Sequence, residues 1–139
     1  MDIKNLISSA VEARKSAYAP YSKFKVGAAL LTSNGKIYKG FNIENSAYSA
    51  CNCAERTAFF RAMCDEEKNF EAIAIVGGPE YEMSSFKSYT PPCGVCRQVM
   101  REFCNPNKFE IILAKSVSDY EQFTLEQLLP NSFGPENLN

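Results

Sequence analysis

Histidine is absent from all 139 residues of this chain. That removes every triad or dyad built on imidazole and every imidazole metal ligand. A transition-metal site here must rest on thiolates, with carboxylates as the remaining choice. A surplus of positive charge is lacking too: 15 Lys and Arg stand against 16 Asp and Glu, for a net charge of −1, and no basic run occurs. Proteins that grip many phosphates usually carry a basic patch or stripe, so nucleic acid is not the expected partner. No apolar run approaches the roughly 18 residues of a membrane span. The opening segment, MDIKNLISSAVEARKSAY, lacks the charged-then-apolar pattern of a secretory leader. Instead Ile3, Leu6, Ile7, Ala10 and Val11 recur at helical spacing. A cytoplasmic location without a membrane partner is the expectation. Repeats, low-complexity tracts and linkers are also missing, and the length suits a single domain over residues 1–139.

What the chain does have is cysteine, six in all. In a small secreted protein that number would suggest three disulfides. In a cytosolic chain of this size, clustered cysteines more often mean metal or catalysis.

The order of elements follows from periodicity and punctuation. After the first helix, residues 24–32 (FKVGAALLT) read as a buried strand. Asn34-Gly35 is a hairpin turn, and residues 36–44 (KIYKGFNIE) are its partner strand. A helix is expected from about Cys53 to Cys64, a third strand over 70–77 and a helix from Cys93. A fourth strand over 109–114, a fifth near 119–124 and a short helical turn in LEQLLP complete the chain. Alternating strands and helices predict an α/β fold: three layers, α/β/α, around a mixed sheet of about five strands with an antiparallel start.

Two cysteine clusters carry the chemistry. Pro92-Cys93-Gly94-Val95-Cys96 places two thiols three positions apart at the mouth of a helix, a common metal knuckle in which Gly94 lets the backbone turn closely. By itself this pattern also fits half a structural zinc site or a redox pair. Cys51-Asn52-Cys53-Ala54-Glu55 supplies the second half. Cys51, Cys53, Cys93 and Cys96 could close a four-cysteine structural site, whereas a catalytic zinc keeps three protein ligands and leaves the fourth position to water. Glu55 separates the two readings. A structural site has no need of a carboxylate beside a ligand, but a hydrolytic site needs a group that takes a proton from water and returns one to the leaving group.

Cys53-Ala54-Glu55 with Pro92-Cys93-Gly94-Val95-Cys96 resembles the split signature of the zinc-dependent nucleoside and nucleobase deaminases. That signature, and the chemistry belonging to it, are known features of the class. Cys53 stands where many relatives have histidine, which matches the three-cysteine branch. Phe41-Asn42-Ile43-Glu44-Asn45 through Cys53-Ala54-Glu55-Arg56-Thr57-Ala58 is similar to the small homotetrameric cytidine deaminases in particular. So are Ala19-Pro20-Tyr21-Ser22-Lys23-Phe24, Val26-Gly27-Ala28-Ala29 and Glu126-Gln127-Leu128-Leu129-Pro130, and the resemblance therefore spans essentially the whole chain.

The resemblance implies one zinc per subunit on Cys53, Cys93 and Cys96. A zinc-activated hydroxide would attack C4 of cytosine while Glu55 shuttles protons, converting cytidine and deoxycytidine to uridine and deoxyuridine plus ammonia, in pyrimidine salvage. It also implies that Arg56 hydrogen-bonds the ligand thiolates. That partner is needed, because three thiolates outweigh the charge of zinc and should make its water a weaker acid. Arg97 could add charge at the centre or simply face solvent. By the same resemblance Asn42 and Glu44 bind the ribose 3′-hydroxyl, Phe24 contacts the pyrimidine and Ala54 offers backbone groups to the base. Phe133 enters a neighbouring subunit's site, Tyr48 shapes a site across an interface, and the assembly is a homotetramer.

From strand periodicity alone, Asn42 and Glu44 share one face, with Phe41 and Ile43 turned to the core. Cys51, Cys64 and Cys104 are assigned to packing. Three alternatives remain at this stage: a polynucleotide deaminase, a non-enzymatic zinc module with four cysteine ligands, and a blasticidin-like antibiotic deaminase.

Overall fold

The computed structural model describes residues 1–139. Five strands form one sheet in the order β2-β1-β3-β4-β5. They are β1 (Phe24–Thr32), β2 (Ile37–Phe41), β3 (Phe70–Pro79), β4 (Glu110–Ser116) and β5 (Asp119–Thr124). Only β3 and β4 pair in parallel; β1 runs antiparallel to both β2 and β3, and β5 antiparallel to β4. The helices are α1 (Ile3–Arg14), α2 (Ala54–Cys64), α3 (Gly94–Phe103) and α4 (Leu125–Leu128).

The period-2 alternation of the central strands splits the core into two layers. Ala28, Leu30, Ile73, Ile75, Ile111 and Leu113 face α2, α3 and α4, where Phe59 and Met100 pack fully buried. Ala29, Ala72, Ala74, Val76 and Ile112 face Leu6, Ile7 and Ala10 of α1. The three-layer α/β/α arrangement with a mixed five-stranded sheet is therefore as expected. The turn at Asn34-Gly35 is also present, with Gly35 at φ 91°, a conformation that L side chains rarely adopt.

Two departures matter for the site. The hairpin's second strand ends at Phe41 rather than at residue 44. At Asn42 the chain changes partners: its carbonyl accepts from the Tyr18 N–H at 3.0 Å. Its side-chain Oδ1 takes over the ladder position, accepting from the Val26 N–H at 2.9 Å. Ile43 then bridges to Tyr18 and Asn52. It is 40% exposed instead of packed in the core.

Gly40 fixes the placement of α2. A Cβ there would stand 2.2 Å from the Ala54 carbonyl, so only glycine lets the first turn of α2 rest on β2. That turn carries Glu55.

Candidate active site and metal centre

Two helix N-termini converge at the centre. Cys53 is the N-cap residue of α2 and Cys93 that of α3. The partial positive charge of both helix ends therefore points at cysteine sulfurs. The Cys53 and Cys93 sulfurs lie 3.8 Å apart, those of Cys93 and Cys96 3.4 Å, and all three within 4.8 Å of one another. Sulfurs about 2.3 Å from a tetrahedral zinc stand about 3.8 Å apart, so this tripod fits the ion. Cys51 is not part of it. Its sulfur accepts from the Asn45 N–H at 3.2 Å. This geometry goes against the closed four-cysteine module.

Arg56 donates from Nη2 to the Cys53 sulfur at 3.3 Å, as the resemblance implied, while its buried Nε has no partner. The Cys96 thiol beside it, followed by the Arg56 guanidinium, lowers the Cys53 pKa to about 5. Cys96, hydrogen-bonded to Cys53 and buried, is pushed well above the ordinary thiol range. Between Cys53 and Cys96, negative charge settles first on Cys53.

Glu55 is 4% exposed. Burial first, and then the Cys53 thiolate, raise its pKa to about 7, against the pull of its own backbone N–H and of Arg56. A carboxyl that exchanges protons near neutral pH beside a metal tripod suits general acid–base work.

The tripod opens into a cavity of about 290 Å³ whose walls include Val26, Asn42, Glu44, Ala54, Glu55, Thr90, Pro91 and Cys93. Asn42 is held at both ends of its amide, its Nδ2 donating to the Phe24 carbonyl at 2.9 Å and its Oδ1 accepting from Val26. The Glu44 carboxylate accepts from the backbone N–H groups of Tyr21 at 2.9 Å and Ser22 at 3.1 Å, and from the Ser22 hydroxyl. These bonds, the Ser22 hydroxyl foremost, hold its pKa below the usual carboxylate value. The Asn42 Oδ1 and the Glu44 Oε2 each retain a second lone pair, and Asn42 a second N–H, for a ligand in the cavity.

Three expected pocket residues lie outside these walls. Phe24 is 37% exposed and contributes its backbone to the Asn42 clamp. Tyr48 is 77% exposed beside a neighbouring hollow that shares Glu44 and Cys51 with the cavity. Phe133 is 59% exposed, with its carbonyl bonded to Gln98. Conversely, Val26, Thr90 and Pro91 line the cavity without having been expected there. The Thr90-Pro91-Pro92 entry to Cys93 was the available signal for the last two, because a segment that delivers a ligand also borders the metal. Arg97 follows neither expected course: it donates to two backbone carbonyls, those of Pro92 and Leu128.

A tripod of three cysteine sulfurs, a buried carboxyl two residues beyond one of them and a cavity open to both form an arrangement that fits a zinc-dependent hydrolytic centre. Comparison with known proteins agrees. Residues 1–111 match the family model described as the cytidine and deoxycytidylate deaminase zinc-binding region. The chain is 50% identical to the cytidine deaminase of Sporosarcina psychrophila, covering 100% of this chain and 96% of that one. It is 44% identical to the cytidine deaminase of Halalkalibacterium halodurans, covering 100% and 99%. The crystal structure of cytidine deaminase from Burkholderia pseudomallei superposes with a TM-score of 0.82 at 45% identity, covering 93% of this chain and 97% of that one. The chain belongs to the zinc-binding cytidine and deoxycytidylate deaminase family.

Proposed function

We propose that this chain hydrolyses the exocyclic C–N bond of free cytidine and deoxycytidine, giving the uracil nucleoside and ammonia, with Glu55 as its proton carrier. The observation that carries this reading is the buried Glu55 carboxyl, one residue beyond Ala54 and two beyond Cys53 of the three-cysteine tripod. Cys53, Cys93 and Cys96 would hold zinc, which would supply a Lewis acid that lowers the pKa of water. Glu55 takes the proton from the attacking water and delivers it to N3 of the pyrimidine. It then takes the remaining proton from the oxygen newly bonded to C4 and passes it to the amino group, so that the C4–N bond breaks, C4=O forms and ammonia departs. Arg56 keeps its charge on the Cys53 sulfur, offsetting part of the excess negative charge of three thiolates. Ala54, buried at the cavity wall, meets the base edge with its backbone.

Asn42 and Glu44 bind the ribose 3′-hydroxyl, and Phe24 borders the base from the rim. An anionic Glu44 in the cavity disfavours a phosphate on the sugar, so the substrate is a free nucleoside rather than a nucleotide or strand. The same residue favours the plain nucleoside over an antibiotic substrate. Replacing Glu44 by Gln keeps its shape and its backbone donors but removes the charge. A hydrogen bond to a charged acceptor contributes about 1.5–3 kcal/mol, so Glu44→Gln is expected to lower kcat/KM for cytidine roughly 10- to 100-fold, mainly through KM. Steady-state kinetics on cytidine and on its 5′-phosphate would test this; an unchanged kcat/KM for cytidine would remove Glu44 from the sugar site.

The chain acts in the cytoplasm, in pyrimidine salvage, as a homotetramer. Its sites are completed by exposed aromatics of neighbouring subunits, Phe133 and Tyr48. Mixing Phe133→Ala chains with Glu55→Gln chains should then restore activity that neither has alone, since an intact Phe133 can serve an intact Glu55 across the interface. Absence of rescue in co-refolded mixtures would place Phe133 outside the site.

A further inference from the structure

We infer that Arg97 is a positioning residue for the metal: it locks the turn that presents Cys93, and it does so by tying that turn to the end of α4. The inference rests on Cys53, Cys93 and Cys96 being the zinc ligands. Its starting point is the segment entering the tripod, Thr90-Pro91-Pro92-Cys93. Two successive prolines carry no N–H, so this stretch cannot fix itself by donating backbone hydrogen bonds. Cys93 is also the exposed member of the tripod, whereas Cys96 is 1% exposed and held in the first turn of α3.

Arg97 supplies what the prolines lack. Its backbone N–H closes the first turn of α3 onto the Cys93 carbonyl at 3.0 Å. Its side-chain Nε donates to the Pro92 carbonyl at 2.8 Å and Nη1 to the Leu128 carbonyl at 2.6 Å. Leu128 is the last residue of α4, a helix of four residues whose terminal carbonyls lack partners within the helix. The planar guanidinium thus bridges two carbonyls that have no other side-chain donor, one on each element. The Pro92 carbonyl belongs to the peptide that leads into Cys93. Rotation of that peptide would swing the Cys93 sulfur away from the 3.4–3.8 Å spacings that match a tetrahedral ion. Further along, α3 holds the C-terminal segment separately, through Arg101 to Ser132 at 2.9 Å and to Glu136 at 2.8 Å. The Arg97 bridge is the one that reaches the ligand turn.

The test measures zinc affinity by competition with a chromophoric chelator, and the d–d and thiolate charge-transfer bands of the cobalt(II)-substituted protein. Removing groups that orient ligands typically lowers metal affinity by about 10- to 100-fold. Arg97→Ala is expected near the lower end, about tenfold, with cobalt bands displaced from the wild-type tetrahedral pattern. Arg97→Lys, which offers one donor group to two carbonyls, should fall between Arg97→Ala and wild type, and it stands in if the alanine variant does not fold. Arg101→Ala should match wild type in both readouts. Wild-type affinity and wild-type cobalt bands in the Arg97 variants would overturn the inference, even if their thermal stability fell, because Arg97 would then be only a structural brace. An equal loss in Arg101→Ala would overturn it as well. Absence of thiolate charge-transfer bands in wild type would instead defeat the ligand assignment itself.

Discussion

Cys96→Ala is expected to release zinc, whereas Cys51→Ala is expected to keep it. Structural zinc binding is worth about 10–16 kcal/mol in four-ligand peptides; shared evenly, each ligand contributes about 2.5–4 kcal/mol, or roughly 60- to 700-fold in affinity. Loss of one thiolate from a three-thiolate site should therefore leave little metal after dialysis. Cys51 sits two residues from Cys53, but its sulfur is engaged by the Asn45 N–H and lies outside the tripod. Metal analysis of both variants separates a three-ligand catalytic centre from a four-ligand structural one: zinc loss in Cys51→Ala would support the latter. In the same series Arg56→Ala should move the acidic limb of the pH–rate profile upward, because loss of the guanidinium leaves the thiolate charge uncompensated and water harder to ionise. An unmoved limb would count against that role.

Glu55→Gln is expected to lower kcat by roughly 10²- to 10⁴-fold, the range of a positioned acid–base group, with zinc retained. The same substitution should stabilise the zinc-stripped protein at high pH. Burial raises the Glu55 pKa from 4.5 to about 7, so the folded state prefers its protonated form. Stability from that preference is present below pH 4.5 and lost as pH rises through about 7. Above that pH the buried carboxylate costs up to about 3 kcal/mol, since each tenfold change in proton affinity is worth about 1.4 kcal/mol. Glutamine carries no such charge. Denaturant unfolding of the stripped proteins should show Glu55→Gln ahead of wild type at pH 8 and near parity at pH 4. Parity at both would mean that Glu55 titrates normally.

Much of this was legible from residue order. The alternation in FEAIAIVG and in FKVGAALLT maps onto the two core layers, because period 2 leaves little choice once both faces are covered. The metal tripod was legible because C-x-x-C at a helix mouth fixes two thiols locally. Its third member needed the fold: β1, β2 and α2 carry Cys53 to a chain segment 40 positions away. The end of β2 was not legible. Strand periodicity continues through Glu44, but the Asn42 side chain substitutes for a backbone partner, and no pattern of apolar residues reports such an exchange. Arg97 was unreadable for a similar reason. Its role depends on two carbonyls, one of them 31 positions away, and any residue type can supply a carbonyl. Phe133 and Tyr48 stay exposed, and neither lines the cavity.

The most direct measurement follows the fall in cytidine absorbance and the release of ammonia, for wild type and Glu55→Gln, with zinc quantified in the same samples. Wild type should turn over cytidine and deoxycytidine, and Glu55→Gln should hold the same zinc while turnover collapses. Failure of the zinc-loaded wild type to deaminate either nucleoside, or near wild-type turnover by Glu55→Gln, would contradict the assignment of the tripod and its carboxylate to this reaction.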